Sequence, residues 1–149
     1  MKAVESNLFK FLQGTKQFVI PIYQRTYSWS KPQCEQLWND IVKAGTDESI
    51  PGHFIGSVVY IEKGIYQVSS VNQLLVIDGQ QRLTTLSLLL LALAKYFEEK
   101  EGADDKTIKK LLNYYLLNSE EEETQRYKLC LTQTDKETYF SFLEENDLP

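Results

Sequence analysis

The stretch LLVIDGQQRLTTLSLLLLALAKYF, residues 74–97, joins a short apolar run to a long helix-forming segment. Residues 74–77 have the length and composition of a buried strand, and Asp78-Gly79 supplies turn chemistry. Residues 81–100 favour a helix whose middle is apolar on most sides. We therefore expect a strand, a tight turn and a central buried helix, within a mixed α/β (α+β) fold in which helices flank a small sheet.

The sequence on both sides of this stretch predicts further elements. Ser30 and Gln33 form an S-x-x-Q capping box, so a helix begins there, and its apolar stripe includes Trp38, which we expect in the core. The remaining patterns predict a helix over 4–13, a strand over 18–20, a hairpin of 54–62 with 65–68, a helix over 108–116, a strand over 126–131 and a last helix from 134 to 143.

The composition is that of an ordinary globular protein. The chain has 149 residues, of which 42% are hydrophobic and 25% are charged, so we expect residues 1–149 to form one domain. Residues 1–95 carry nine Lys or Arg against seven Asp or Glu, a balance of +2, whereas the remainder carries seven against 14, a balance of −7. No broad basic face is indicated, and any contact with nucleic acid must be local.

Several classes of protein are excluded by the sequence. The longest strictly apolar run, 88–94, is far shorter than the roughly 20 residues of a membrane-spanning helix. The N-terminus has no apolar secretory segment, and Cys34, Cys130 and His53 lack the spacing of a zinc site. We expect a cytoplasmic protein. Because no further helix or strand is predicted between residue 143 and Pro149, we also expect the chain to be part of a longer one.

The turn at Gly79 has the features of a phosphate site. Glycine allows a ligand to approach the backbone, and the following helix presents unpaired N–H groups and the positive end of its dipole. Arg82 adds a planar, bidentate donor, and Asp78 could hold Mg²⁺ or orient a water for phosphoryl transfer. Further polar side chains that could complete the site are Gln80, Gln81, Thr84 and Thr85. An ordinary P-loop is excluded, because no G-x-x-x-x-G-K-[ST] sequence is present.

A structural interpretation of the same residues is also open. Asp78 could simply cap the helix, and Arg82 could pair with a surface acid, since D-G before a helix is common turn chemistry. His53, at the start of a predicted strand, could likewise be structural or could contact a phosphate.

A second cluster mixes aromatic and polar side chains in a segment without helical or strand periodicity. The aromatic side chains could stack on bases, and Gln24 and Arg25 could read base edges or bind phosphates. These aromatic residues are Phe18, Tyr23, Tyr27 and Trp29. The alternative is an aromatic mini-core beneath a loop.

Four motifs in order resemble one protein family, the N-terminal domain of GmrSD-type modification-dependent restriction proteins. Their order and spacing match from about residue 7 to residue 90. The motifs are IPIYQRTYSW at 20–29, QLWNDI at 36–41, HFIGS at 53–57 and IDGQQRLTTL at 77–86.

The resemblance implies a ParB/sulfiredoxin-like fold and a role for each motif. In that family the DGQQR stretch is associated with nucleotide binding and hydrolysis, which would assign binding to residues 78–82 and catalysis to Asp78, Gln80 and Arg82. In related phage-defence proteins the IPxYQR stretch is tied to sensing modified DNA, which would assign that role to Tyr23 and to residues 24, 25 and 27. The family usually continues into a C-terminal nuclease domain, which residues 1–149 do not contain.

Three hypotheses follow for function. The first is a regulatory NTPase that uses Mg²⁺ and gates a nuclease, in the same or a partner chain, during restriction of modified foreign DNA. The second is a noncatalytic module that senses nucleotide or modified DNA. The third is a domain that forms a homodimer through its aromatic residues. If the two motifs share one cleft, residues 23–25 must lie near the Gly79 turn.

Overall fold

A computed structural model of the chain describes residues 4–49, 52, 56–62, 71–100 and 105–147. Helices and strands are intermixed along the chain, which confirms the predicted mixed α/β class. In chain order they are α1 (Leu8–Leu12), β1 (Lys16–Val19), α2 (Lys31–Thr46), β2 (Val59–Glu62), β3 (Asn72–Asp78), α3 (Gln80–Glu99), α4 (Asp105–Lys110), a π-helical segment (Leu111–Leu116), a 3-10 turn (Glu123–Arg126), β4 (Leu129–Cys130) and α5 (Gln133–Asp147).

The four strands form one mixed sheet in the order β2-β3-β1-β4. β1 runs parallel to both of its neighbours, pairing Phe18 with Leu74 on one side and with Leu129 on the other. β2 pairs antiparallel with β3. Because β3, β1 and β4 are parallel, their carboxyl ends meet at the same edge of the sheet, and the segments that follow them are brought together there.

α3 is the central helix, as its apolar middle predicts. Leu83, Leu90, Leu91 and Ala94 are buried, in one cluster with sheet residues such as Val76. α3 has 20 residues and is therefore about 30 Å long. Its first turn lies directly after the carboxyl end of β3. The core therefore positions the turn at Gly79.

α2 begins as predicted but packs differently. The Gln33 side-chain oxygen accepts from the Ser30 backbone N–H at 3.0 Å and from the Ser30 hydroxyl at 2.7 Å, which forms the capping box. The expectation that Trp38 lies in the core is wrong, because its side chain is 53% exposed. Leu37 is the one residue of this helix that is fully buried. The periodicity of an apolar stripe predicts that the helix packs along it, but it does not predict how much of the stripe another element covers.

Other differences concern the ends and partners of elements. α1 is shorter than predicted, and the strand expected over 126–131 is reduced to β4 because the preceding residues form a 3-10 turn. β2 is shorter than its predicted run and pairs with β3; its expected hairpin partner, 65–68, lies outside the described residues, as does His53. Within the described part of the chain, no helix is both long and apolar enough to cross a membrane.

Candidate functional site

The turn between β3 and α3 requires glycine for two separate reasons. Gly79 is the N-cap of α3 and has a φ of 94°, in the left-handed region that other residues rarely adopt. A Cβ at this position would lie 2.6 Å from the Ser57 carbonyl oxygen and 3.1 Å from the Val58 Cα. The absent side chain thus lets the 56–58 segment pass directly against the start of the helix.

The same segment also holds the arginine of the DGQQR motif. Arg82 Nη1 donates to the Ser57 carbonyl oxygen at 3.4 Å, a long hydrogen bond. Gly56, with a φ of 120°, leaves room for this guanidinium, since a Cβ there would lie 2.6 Å from the Arg82 Cζ. The third and fourth sequence motifs are therefore in contact, and Gly56 and Ser57 are site residues to which the sequence reasoning assigned no role.

The segment 21–30 also contacts the turn, and the expectation that residues 23–25 approach Gly79 is confirmed for Gln24 and Arg25. Gln24 Nε2 donates to the Ile77 carbonyl oxygen at 3.0 Å, and Gln80 Nε2 donates to Gln24 Oε1 at 3.2 Å. These two bonds join the IPxYQR and DGQQR motifs across more than 50 residues of sequence.

Gln81 fixes the backbone of this segment. Its Oε1 accepts from the Ser28 N–H at 2.8 Å, and its Nε2 donates to the Thr26 carbonyl oxygen at 3.1 Å. Gln81 is 8% exposed, so a buried amide here exchanges two hydrogen bonds with a loop that has no regular secondary structure. Its geometry is that of a residue that positions the loop.

Tyr27 connects the segment to three helices. Its hydroxyl lies 2.8 Å from Thr85 Oγ1 on α3 and 3.5 Å from Cys34 Sγ on α2, and its backbone N–H donates to Asp135 Oδ2 on α5 at 2.7 Å. Burial, together with the hydrogen bond to Cys34, raises the pKa of Tyr27 above its ordinary value. The phenol stays neutral and available for hydrogen bonding at physiological pH. Asp135 is a further residue of the site that lies outside all four sequence motifs.

The space between the two motifs is too small for a nucleotide. A cavity of about 10 Å³ is bounded by Arg25, Gln80, Gln81, Thr84 and Asp135, among others, and a volume of this size holds at most about one water molecule. Thr84 and Thr85 are buried, and their hydroxyls donate to backbone carbonyls one turn earlier. The inner face of the site is therefore a packed, hydrogen-bonded interface.

Several of the predicted site residues remain accessible to solvent. The outer face of the Gly79 turn is the solvent-exposed side that bears Asp78 and Arg82. Asp78, Tyr23 and Arg25 are exposed and Arg82 is partly exposed, as are Gln80 and Trp29. The expectation that Phe18 could stack on a base is wrong, because its side chain is buried in the core. Asp78 lies at the end of β3, opposite Val59 of β2, so it and Arg82 both border the 57–59 segment. These are the side chains that a ligand can reach without opening the domain.

The structural interpretation of the motif finds no support among the described residues. There, the N-cap is Gly79, the Asp78 carboxylate makes no hydrogen bond, and the Arg82 guanidinium meets no carboxylate. An acidic and a basic side chain thus flank the turn without charged partners among the residues that the structure describes.

Replacing Gly79 by alanine should destabilise the domain by at least about 2 kcal/mol. The left-handed backbone alone costs an alanine roughly 1–2 kcal/mol, and the contact with the Ser57 carbonyl oxygen would force the 56–58 segment to move. Urea unfolding of Gly79→Ala measures the change. Gly45→Ala is the matched control, since a Cβ there meets nothing within 4 Å and alanine favours a helix. Equal stability of the two variants would mean that the close approach at Gly79 is not required.

Comparison with known families gives a match that covers most of the chain. The family model for the N-terminal domain of the GmrSD restriction endonuclease matches residues 8–149. No curated protein gives a significant match. The matched range includes all four motifs and every element from α1 to α5, and the chain therefore belongs to the GmrSD restriction endonuclease N-terminal domain family.

Proposed function

We propose that this restriction-related domain binds a nucleoside triphosphate on the outer face of the Gly79 turn, hydrolyses it, and thereby regulates restriction of modified foreign DNA. The observation that carries the proposal is the pair of accessible side chains, Asp78 and Arg82, that flank a glycine turn without charged partners among the described residues. The nuclease would reside in a further domain of the same chain or in a partner chain.

The start of α3 supplies the electrostatic part of a phosphate site. The first-turn N–H groups of a helix have no partner within it, and in a 20-residue helix they form the positive end of the dipole. Arg82 in the first turn adds a full positive charge with several N–H donors. Its long bond to Ser57 leaves most of these donors for phosphate oxygens.

Asp78 fits a magnesium ion only in company with the phosphates. No group of three or more His, Cys, Asp or Glu in the described residues could hold a metal, but Mg²⁺ is commonly bound through one or two carboxylates together with phosphate oxygens and water. Such an ion would neutralise negative charge on the phosphates. Asp78 is the exposed carboxylate at the turn that would hold it.

Gln80 is suited to orient the attacking water. Its Nε2 is engaged by Gln24, whereas its Oε1 has no hydrogen-bond partner among the described residues and can accept from a water. Arg82 would stabilise charge that develops on the transferring phosphoryl group. Asp78, Gln80 and Arg82 are thus the proposed catalytic residues.

The 21–30 segment would connect nucleotide binding at the Gly79 turn to recognition of DNA. Tyr23 is 71% exposed, and with Arg25 and Trp29 it offers rings and a cation that could contact bases and phosphates. The hydrogen bond from Gln80 to Gln24 connects this surface to the Gly79 turn. A ligand that moves Gln80 would therefore move the proposed DNA-sensing residues Tyr23, Gln24, Arg25, Tyr27 and Trp29.

Calorimetric titration of the chain with a nonhydrolysable nucleoside triphosphate and Mg²⁺ tests the first step of the proposal. We expect saturable binding that raises the melting temperature, together with phosphate release when the hydrolysable nucleotide is supplied. Binding without release would favour the noncatalytic sensor. Neither binding nor release, with a doubled mass in solution, would favour the dimerisation domain.

A further inference from the structure

A second cleft opens at the opposite end of the sheet. It has a volume of about 380 Å³, within the usual range of small-molecule sites, and lies between the α1–β1 turn, the end of the π-helical segment and Lys128. Lys16 begins β1, and Lys128 lies just before β4, whereas the Gly79 site adjoins the carboxyl ends of these parallel strands. Four residues of strand, about 13 Å, separate the two ends.

Lys128 is a buried cation in the wall of this cleft. It is 3% exposed, and its ammonium group donates to the Gly14 carbonyl oxygen, which uses one of three N–H donors. Among the described residues it forms no ion pair with a carboxylate. Burial, with a smaller contribution from the charge of Lys16, lowers the pKa of Lys128 to about 8. A buried cation that meets only a carbonyl is costly, and a bound anion would offset that cost.

Lys16 adds a second positive charge beside the first. Its ammonium group donates to the Phe11 carbonyl oxygen at 2.9 Å, so it too has a neutral partner. The neighbouring Asn118 side chain makes its hydrogen bonds to the backbone. Its Oδ1 accepts from the Lys16 N–H, and its Nδ2 donates to the carbonyl oxygens of Lys16 and Gln125. Both ammonium groups are thus held by carbonyl oxygens, which do not neutralise their charge.

The remaining walls indicate the chemistry of a ligand. Thr15, Asn113 and Ser119 supply hydroxyl and amide groups, and Tyr114, 52% exposed, supplies a ring on which a flat group can stack. Lys128 in the wall, the charge of Lys16 beside it and several neutral donors suit a phosphate group, which has three strong acceptor oxygens, better than a carboxylate with two. Glu120 at the rim belongs to an acidic run and disfavours a long polyanion such as DNA.

We propose that this cleft binds a small molecule that carries one phosphate group and a flat ring, with the phosphate at Lys128 and the ring on Tyr114. The site is separate from the Gly79 turn and does not depend on the function proposed for it.

Phenyl phosphate is the probe that tests the cleft, in a titration of the isotope-labelled full chain followed by NMR. We expect saturable shifts of the Gly14, Thr15 and Ser119 amide signals. Lys128→Met, which keeps the buried stem, should lower the affinity at least roughly tenfold, because it removes a charge-assisted pair. Inorganic phosphate should bind more weakly than phenyl phosphate, because it cannot stack on Tyr114, and benzoate should bind more weakly because it lacks the third oxygen.

A second variant keeps the test decisive if Lys128→Met does not fold. Glu120→Gln, a substitution of an exposed residue, should raise the affinity for phenyl phosphate by removing a negative charge from the lining of the cleft. Shifts confined to residues 79–82, an unchanged affinity in a folded Lys128→Met variant, or an unchanged affinity in Glu120→Gln would overturn the proposed site. Equal binding of benzoate would overturn the phosphate assignment, and equal binding of inorganic phosphate would overturn the role of Tyr114.

Discussion

Arg82→Ala should lower the affinity for a nucleoside triphosphate by roughly 10- to 150-fold while the domain remains folded. The substitution removes a charge-assisted contact to phosphate worth about 1.5–3 kcal/mol. Within the described residues the guanidinium makes only one long bond, to the Ser57 carbonyl oxygen, so its loss should cost little stability. Titration calorimetry with Mg²⁺ and a nonhydrolysable nucleotide, beside a melting curve, measures both quantities.

Two further variants control for this result. Arg82→Lys keeps the charge but loses the planar fork, and it should bind with intermediate affinity. Lys43→Ala removes an exposed cation from α2, far along the sequence from the turn, and should bind like the unmodified protein. Nucleotide affinity that survives Arg82→Ala unchanged would rule out a phosphate contact at Arg82.

Asp78→Asn should retain nucleotide binding but lose turnover by at least about 100-fold, the lower end of what a positioned acid–base group contributes. The amide keeps the shape of the carboxylate at the end of β3, but it lacks the charge needed to hold Mg²⁺ or to polarise a water. A drop in kcat with little change in the dissociation constant is the expected signature. Phosphate release at saturating nucleotide measures the first, and calorimetry the second.

Asp105→Asn is the matched control for Asp78→Asn. Asp105 is an exposed carboxylate in the first turn of α4, outside the candidate site, and its substitution should leave turnover unchanged. Normal phosphate release by Asp78→Asn would exclude the catalytic role and leave Asp78 as a residue of the turn only.

The DGQQR motif contains both accessible and buried residues, which would allow it to bind a ligand and to hold the 21–30 segment in place. Asp78 and Arg82 are accessible, whereas the amide of Gln81 is engaged on both sides by the backbone of the 21–30 segment. Alternate positions of the DGQQR stretch therefore face solvent and the interior. The motif both presents the charged groups and holds the segment that bears the proposed DNA contacts.

Local sequence was sufficient for the central elements of the fold. The apolar run before Asp78 predicted β3, the apolar middle of 81–100 predicted a buried α3, and Ser30 with Gln33 predicted the start of α2. Each signal depends on residues within a few positions of one another, where strand alternation, helical periodicity and capping act. The pairing of the 23–25 segment with Gly79 was also expected, from the resemblance of the motifs to a family.

Partners distant in the sequence could not be read in the same way. The sequence assigned Trp38 to the core, but a helical stripe does not state how much of it another element covers. Nothing near Gly56 indicates that its missing side chain makes room for Arg82, and nothing near Lys128 indicates that its charge is buried beside Lys16. Burial and charge pairing depend on which segments the chain brings together, often across 50 residues or more.

By itself, then, the sequence determined the strand, the glycine turn and the buried helix, since these follow from backbone preference and apolar spacing within one short stretch. It also indicated side chains around this turn whose chemistry suits a phosphate, because that chemistry does not depend on the fold. Tertiary structure alone decided which of them a ligand can reach. Gln81, Thr84 and Thr85 are enclosed by the 21–30 segment and α3, while Asp78 and Arg82 remain accessible beside Ser57. Accessibility arises only when separate segments pack, and no single segment carries that information.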